Sequence, residues 1–187
     1  MPRGWSFAGP KSFLPPNPVY PHPGYEGDWL TKEFLNQRAE EVFRDIVGKV
    51  LGEPSLYQLS HDKSAHCYRL YWSRAFDHEI TFRLNINPDK SGSLVVKILD
   101  ESRKKLESTK TVSVSPNEVS EFLEKIQIMK FWTSTNEFEG LAMDGSVWFL
   151  EGVRDREYKI AIIRSPKDEA LMAPGLYLLE LSGRVYR

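Results

Sequence analysis

The chain has 187 residues, 25 Lys and Arg against 26 Asp and Glu, and 41% hydrophobic content. That length suits one domain with a real core, and a net charge of −1 with no basic stripe excludes nonspecific nucleic-acid binding. One cysteine, Cys67, excludes an internal disulfide and a Cys-based zinc centre, and no apolar run approaches the roughly 18 residues of a membrane-crossing helix.

No signal-type apolar stretch opens the chain, so a soluble, cytoplasmic protein is expected unless a leader has been removed. Residues 1–27 form a distinct arm. Pro2, Pro10, Pro15, Pro16, Pro18, Pro21 and Pro23 fall there, interleaved with Trp5, Phe7, Phe13, Tyr20 and Tyr25. Proline fixes φ and removes a donor, which leaves extended or polyproline II backbone. So many rings suit an arm that drapes over the domain, or a docking peptide for a partner.

Residues 28–187 read as a single α+β domain. A helix is expected from about Trp29 to Leu51, capped by Asp28 or Thr31 and ended by Gly52 and Pro54. Its apolar stripe is Leu30, Phe34, Leu35, Val42, Phe43, Ile46, Val47 and Val50. Alternation predicts strands over His66–Ser73, His78–Ile86, Ser93–Asp100 and Lys104–Val114, the last polar and edge-like. Matching the apolar faces of the first two pairs Tyr68 with Leu84, Leu70 with Phe82 and Trp72 with Ile80.

Ser115-Pro116-Asn117-Glu118 is a capping box with proline at the first helical position. Its helix should reach about Lys130 and end at Phe131-Trp132. A hairpin follows, over Ser146–Val153 and Glu157–Ser165, then a short helix over Pro174–Leu181 with Gly183 beyond its end. The expected fold is one antiparallel sheet of about six strands with helices packed on one face, in the order α-β4-α-β2-α.

Catalytic motifs are missing from this sequence. His22, His61, His66 and His78 have no helical i, i+4 pairing, and no phosphate loop or Gly-x-Ser-x-Gly occurs. His66 and Cys67 are strand neighbours and point to opposite faces, so Cys67 has no base and reads as structural. No catalytic residue, metal site or cofactor is therefore assigned. Glu151 stands out as an acid among apolar neighbours on a strand with bulk on both faces. It should pair with Lys159 across a three-residue loop, face Ile160 across a two-residue loop, or compensate Arg164.

Phe131-Trp132, a polar loop, Asp144-Gly145-x-x-Trp148-x-x-Glu151-Gly152, Tyr158 and Arg164-Ser165-Pro166 resemble a pattern of uncharacterised small bacterial proteins. There, a helix ending in Phe-Trp leads to D-G-x-x-W-x-x-E-G, a hairpin and a Ser-Pro. The resemblance covers the last third of the chain, from Val119 on. It implies a bacterial origin and a fold, and no catalytic residue. That hairpin turns on Asp-Gly; here Asp155-Arg156 takes its place and a longer turn is expected. Arg164 also stands directly before Ser165, with no aromatic between them.

The sequence reading favours a non-enzymatic module that binds another protein, of the class of immunity or inhibitor proteins of bacterial toxins. Asp144, Trp148, Glu151, Arg164 and Trp132 are its candidate binding residues. The alternatives are a carboxylate-based hydrolase or accessory domain with a site near Asp144 and Glu151, and a structural subunit held in an assembly by its N-terminal arm.

Overall fold

The period-two alternation of the strands places two different chemistries on the two faces of one sheet. The structure, a computed structural model, describes residues 12–15, 39–74, 78–134, 146–164 and 168–184. Its elements are α1 (Phe43–Val50), α2 (Leu56–Leu59), β1 (Cys67–Ser73), β2 (Ile80–Ile86), β3 (Gly92–Leu99), β4 (Leu106–Val114), α3 (Pro116–Ile128), β5 (Val147–Arg154), β6 (Glu157–Arg164) and α4 (Glu169–Leu181). The strands form one antiparallel sheet in the order β4-β3-β2-β1-β5-β6. Tyr68 pairs with Leu84, Leu70 with Phe82 and Trp72 with Ile80, as the alternation predicts.

One face carries Tyr68, Leu70, Trp72, Phe82, Leu84, Leu94, Val96, Trp148 and Leu150. It is covered by Val119, Phe122 and Ile126 of α3 and by Tyr177, Leu178 and Leu179 of α4. The other face carries Tyr71, Leu99 and Ile160, packed under Phe43 and Val47 of α1 and under Leu14. Helices thus lie on both faces, not gathered on one as expected. Tyr71, Phe149 and Ile160 make the second face apolar at the β1-β5-β6 end, and that area must also be buried.

The local signals mark the helix ends closely. Ser115 accepts from the Glu118 N–H while the Glu118 carboxylate accepts from the Ser115 N–H at 2.7 Å, closing the box that starts α3. α3 ends in a Schellman turn: Lys130 takes φ 55° and the Phe131 N–H donates to the Ile126 carbonyl at 3.1 Å. α4 begins earlier than expected, at Glu169, because the Asp168 carboxylate accepts from the Ala170 and Leu171 N–H groups. Pro174 therefore lies inside the helix and not at its start. Gly183, at φ 74°, closes α4 with a second Schellman turn.

The expected caps Asp28 and Thr31 and the start of the first helix lie outside the described residues. From residue 39 that helix begins as α and opens to a π-helix over Phe43–Val50. Gly48 sits within the widened turn, where an added Cβ would lie 2.7 Å from the Phe13 ring. Gly52 then leaves the helix at φ 61°. Among the described residues, no helix is long and apolar enough to cross a membrane.

Candidate functional site

The β1-β5 register sets Arg69 directly opposite Glu151, and the β1-β2 register sets it opposite Arg83. Two arginines side by side on one sheet face need counter-charge. Glu151 supplies one carboxylate: its Oε2 accepts from Arg69 Nε at 2.6 Å and lies 2.5 Å from Nη2. Glu53, from the turn after α1, supplies the other. It accepts from Arg83 Nε at 2.6 Å, meets Lys97 Nζ at 2.9 Å and stands 3.8 Å from Arg69 Nη1. Arg69 and Glu151 are 0% exposed.

Further hydrogen bonds tie this cluster to the surrounding chain. Arg69 Nη1 donates to the Pro54 carbonyl at 2.7 Å, and the Tyr158 hydroxyl donates to Glu151 Oε1 at 2.9 Å. Lys97 donates to the Leu51 and Gly52 carbonyls, where the end of α1 concentrates negative charge. The Arg69 guanidinium lies 5.5 Å from the Phe13 ring and 5.6 Å from the Phe43 ring. Burial pushes the Glu151 carboxyl up, against the pull of Arg69 and Tyr158. Burial also raises the neighbouring Cys67 thiol, to about 11, which leaves a protonated and weakly nucleophilic sulfur.

A third buried acid stands at the sheet end. Glu79 accepts from the Tyr71 hydroxyl at 2.5 Å and from Ser73 at 3.0 Å, and Arg103 Nε approaches to 3.4 Å. Burial and the adjacent carboxylate push the Tyr71 phenol up, so it stays a donor. Beside it, His78 meets the Leu99 carbonyl and Glu107. Both acidic clusters fasten chain segments together by side chains already spent on one another.

The residues nominated from the sequence do not converge. Trp148 is 3% exposed under α4, its ring 5.5 Å from that of Trp72. Trp132 lies on the same sheet face, half-buried, donating to the Tyr68 hydroxyl at 3.1 Å with Arg154 over its ring at 4.4 Å. Glu151 is on the opposite face. Arg164 ends β6 with its backbone opposite Val147, and Asp144 lies outside the described residues. The hairpin uses the two-residue turn, so Glu151 is opposite Ile160; Lys159 donates instead to the Ser134 carbonyl. Asp155 and Arg156 both take positive φ, 49° and 66°, which gives the tight turn without its usual glycine.

What faces solvent is β4. Leu106 to Thr111 are exposed at every position, on both faces of the strand. Among the described residues no strand pairs with the outer edge of β4. Lys110 is turned away from that edge, donating to the Ser182 carbonyl beyond α4 at 2.8 Å.

Fold and surface together define an α+β single-sheet domain whose central strands are covered on both faces and whose edge strands, β4 and β6, each pair on one side only among the described residues, β4 being the exposed one. A scan against known protein families returns no match, and a search of curated proteins returns no similar sequence.

Proposed function

We propose that the chain is a non-enzymatic protein-binding module that engages its partner by strand addition at β4. The observation that carries this reading is the outer edge of an exposed nine-residue strand that no strand of the described residues pairs. Such an edge presents a row of free main-chain donors and acceptors, and natural proteins rarely leave one this long without a use or a block. Lys110, which could block it, is held elsewhere. The carboxylate nominated for hydrolysis supports the same side: Glu151 is buried and bonded to Arg69 and Tyr158. A small, nearly neutral domain that covers another protein's strand suits an immunity or inhibitor protein of a bacterial toxin. That narrower assignment rests on size and charge.

The test uses the full chain as bait in lysate of its native host, beside Ser108→Pro and Thr109→Pro. Neighbouring N–H groups on an edge strand alternate between the ladder and the open side. One of the two variants therefore loses only an outward donor and keeps its melting temperature. That variant should lose a partner which the unaltered chain captures in stoichiometric amount. Undiminished capture by it overturns strand addition. No stoichiometric partner for the folded unaltered chain overturns the binding reading and returns attention to hydrolase chemistry.

A further inference from the structure

His66 stands immediately before β1, half-buried. Its carbonyl accepts from the Ile86 N–H at 2.9 Å, one step beyond the Cys67–Asn85 pair. The same step along β5 puts Arg154 opposite it, because Cys67 pairs with Val153. Alternation then sets both side chains on the face that carries Tyr68. The His66 ring lies on Tyr68, with centroids 5.8 Å apart. Its Nε2 is buried and has no hydrogen-bond partner. The neutral ring therefore carries its proton on Nδ1. Charging the ring adds a proton at Nε2, where no acceptor stands to receive it.

That ring is one side of a closed corner. Trp132 Nε1 donates to the Tyr68 hydroxyl at 3.1 Å, and the Arg154 guanidinium lies 4.4 Å over the Trp132 ring. Gly152 leaves room for the Phe131 and Trp132 rings, which an added Cβ would meet at 2.7 and 3.0 Å. His66, Tyr68, Trp132 and Arg154 thus fasten the end of α3 to β1 and to the hairpin. Among the described residues, the charged groups that bear on His66 are Asp155 and Arg154, both of the hairpin. Burial pushes the imidazole below its ordinary value; Asp155 opposes that shift and Arg154 adds to it. Glu157 faces Arg154 at 3.7 Å, and burial pushes the Tyr68 phenol up, so it stays protonated.

We propose that His66 is an acid-sensitive latch on this corner: neutral, it packs on Tyr68 and the corner is closed; charged, it leaves for solvent, and Trp132 loosens with it. Two contacts transmit the change. An imidazolium repels the Arg154 guanidinium that covers Trp132, and its departure admits water to the Tyr68 hydroxyl that Trp132 bonds. Histidine in an unfolded chain titrates near about 6.5. A corner that excludes the proton keeps its full stability above that value and loses it as pH falls below. The closed-to-open ratio drops by up to about tenfold per pH unit there. The latch uses residues other than those of β4 and survives if strand addition fails.

The experiment follows the full nitrogen-labelled chain by NMR from about pH 8 to about pH 5, across the range in which histidine titrates. The His66 ring signal is assigned with His66→Gln, and the Trp132 indole N–H with Trp132→Phe. His66 should titrate below about 6.5, and the Trp132 indole should move with the same midpoint. The indole of Trp148, buried at the other end of β5, should hold still. In His66→Gln the Trp132 indole should stay in place over the whole range. A His66 midpoint at or above the ordinary value overturns the latch, as does a Trp132 indole that does not follow it. Both are read on the unaltered chain, whatever the variant does. Trp132 movement that survives His66→Gln also overturns it. A Trp148 indole that moves in step marks unfolding of the whole core and does the same.

Discussion

Breaking the Arg69–Glu151 pair from its two sides should give two different pH profiles. Both side chains are fully buried, so removing either leaves a charge without its partner and costs about 3–5 kcal/mol. In Arg69→Met the stranded group is Glu151, whose carboxyl burial already pushes up. Without the guanidinium it rises further above the value of about 4.3 it has in the unfolded chain. The native state then binds a proton the unfolded state does not, so stability falls as pH rises through that window and returns as pH falls. Within the window each pH unit is worth up to about 1.4 kcal/mol. In Glu151→Ala the stranded group is Arg69, which cannot deprotonate, and no recovery is available.

The assay is urea unfolding followed by tryptophan fluorescence at pH 7.5 and pH 5.0, with buried Trp72 and Trp148 as reporters. Arg69→Met should recover a kilocalorie or more at the lower pH, on the order of the linkage figure, relative to the unaltered chain. Glu151→Ala should not. The double variant Arg69→Met with Glu151→Leu should be more stable than either single one, since neither charge remains to be stranded. Losses below about 1 kcal/mol in both single variants would refute the view that the pair is buried and coupled. Equal pH profiles would refute the assignment of the titrating group to Glu151.

Gly175→Ala should lower stability by up to about 2 kcal/mol despite alanine's better helix propensity, since the overpacking cost of about 1–3 offsets the propensity gain of about 1; its Cβ would lie 2.3 Å from the Trp148 ring, and a thermal melt reads the result. Arg156→Gly should stabilise by roughly 0.5–1 kcal/mol in the same assay, because a residue held at φ 66° is relieved. Ser115 holds the Glu118 carboxyl below the usual range, so its cap contributes above the unfolded value of about 4.3 and is lost as pH falls through and below it. Glu118→Gln should flatten that acid limb of melting temperature against pH.

The strands and their order of apolar faces were legible because alternation survives wherever one face is oily. Tyr68, Leu70 and Trp72 announce the β1-β2 register without help. The end signals of α3 and α4 were legible for a similar reason: capping is local, and Ser115, Glu118 and Gly183 act within a few residues. The partner of Glu151 was not legible. Inside the hairpin the sequence offers Lys159 and Arg164, while the guanidinium comes from Arg69, 82 residues away on β1. Arg69 itself is hidden between Tyr68 and Leu70, and nothing periodic marks it as buried. Glu53 lies in a turn, where no pattern separates a buried acid from a solvated one. Asp155-Arg156 makes a two-residue turn where the missing glycine points to a longer one. The paired strands on either side impose positive φ whatever the residue, at a modest cost. α2 was missed, its four residues being too few to show a stripe.

The charged cluster also bears on why this sheet has one register. Sliding β5 along β1 by one residue would turn Glu151 to the α3 and α4 face, and Trp148 with it to the other side. A slide by two is the harder competitor, because it keeps every side chain on its own face. In that slide Arg69 would stand opposite Phe149 or Val153, the residues two positions either side of Glu151. Arg69 and Glu151 would then lose each other while both stay buried, Arg69 keeping only the Pro54 carbonyl and Glu53 at 3.8 Å, at up to about 3–5 kcal/mol for a broken buried pair. Apolar residues alone would not impose that penalty, since Phe149, Ile160 and Val153 can exchange neighbours at little loss. Glu53 extends the same logic to β2 and β3: bonded to Arg83 and Lys97 at once, it also ties the end of α1 to those strands. The cluster's contribution is thus larger as a choice between registers than as a gain in stability over an oily core.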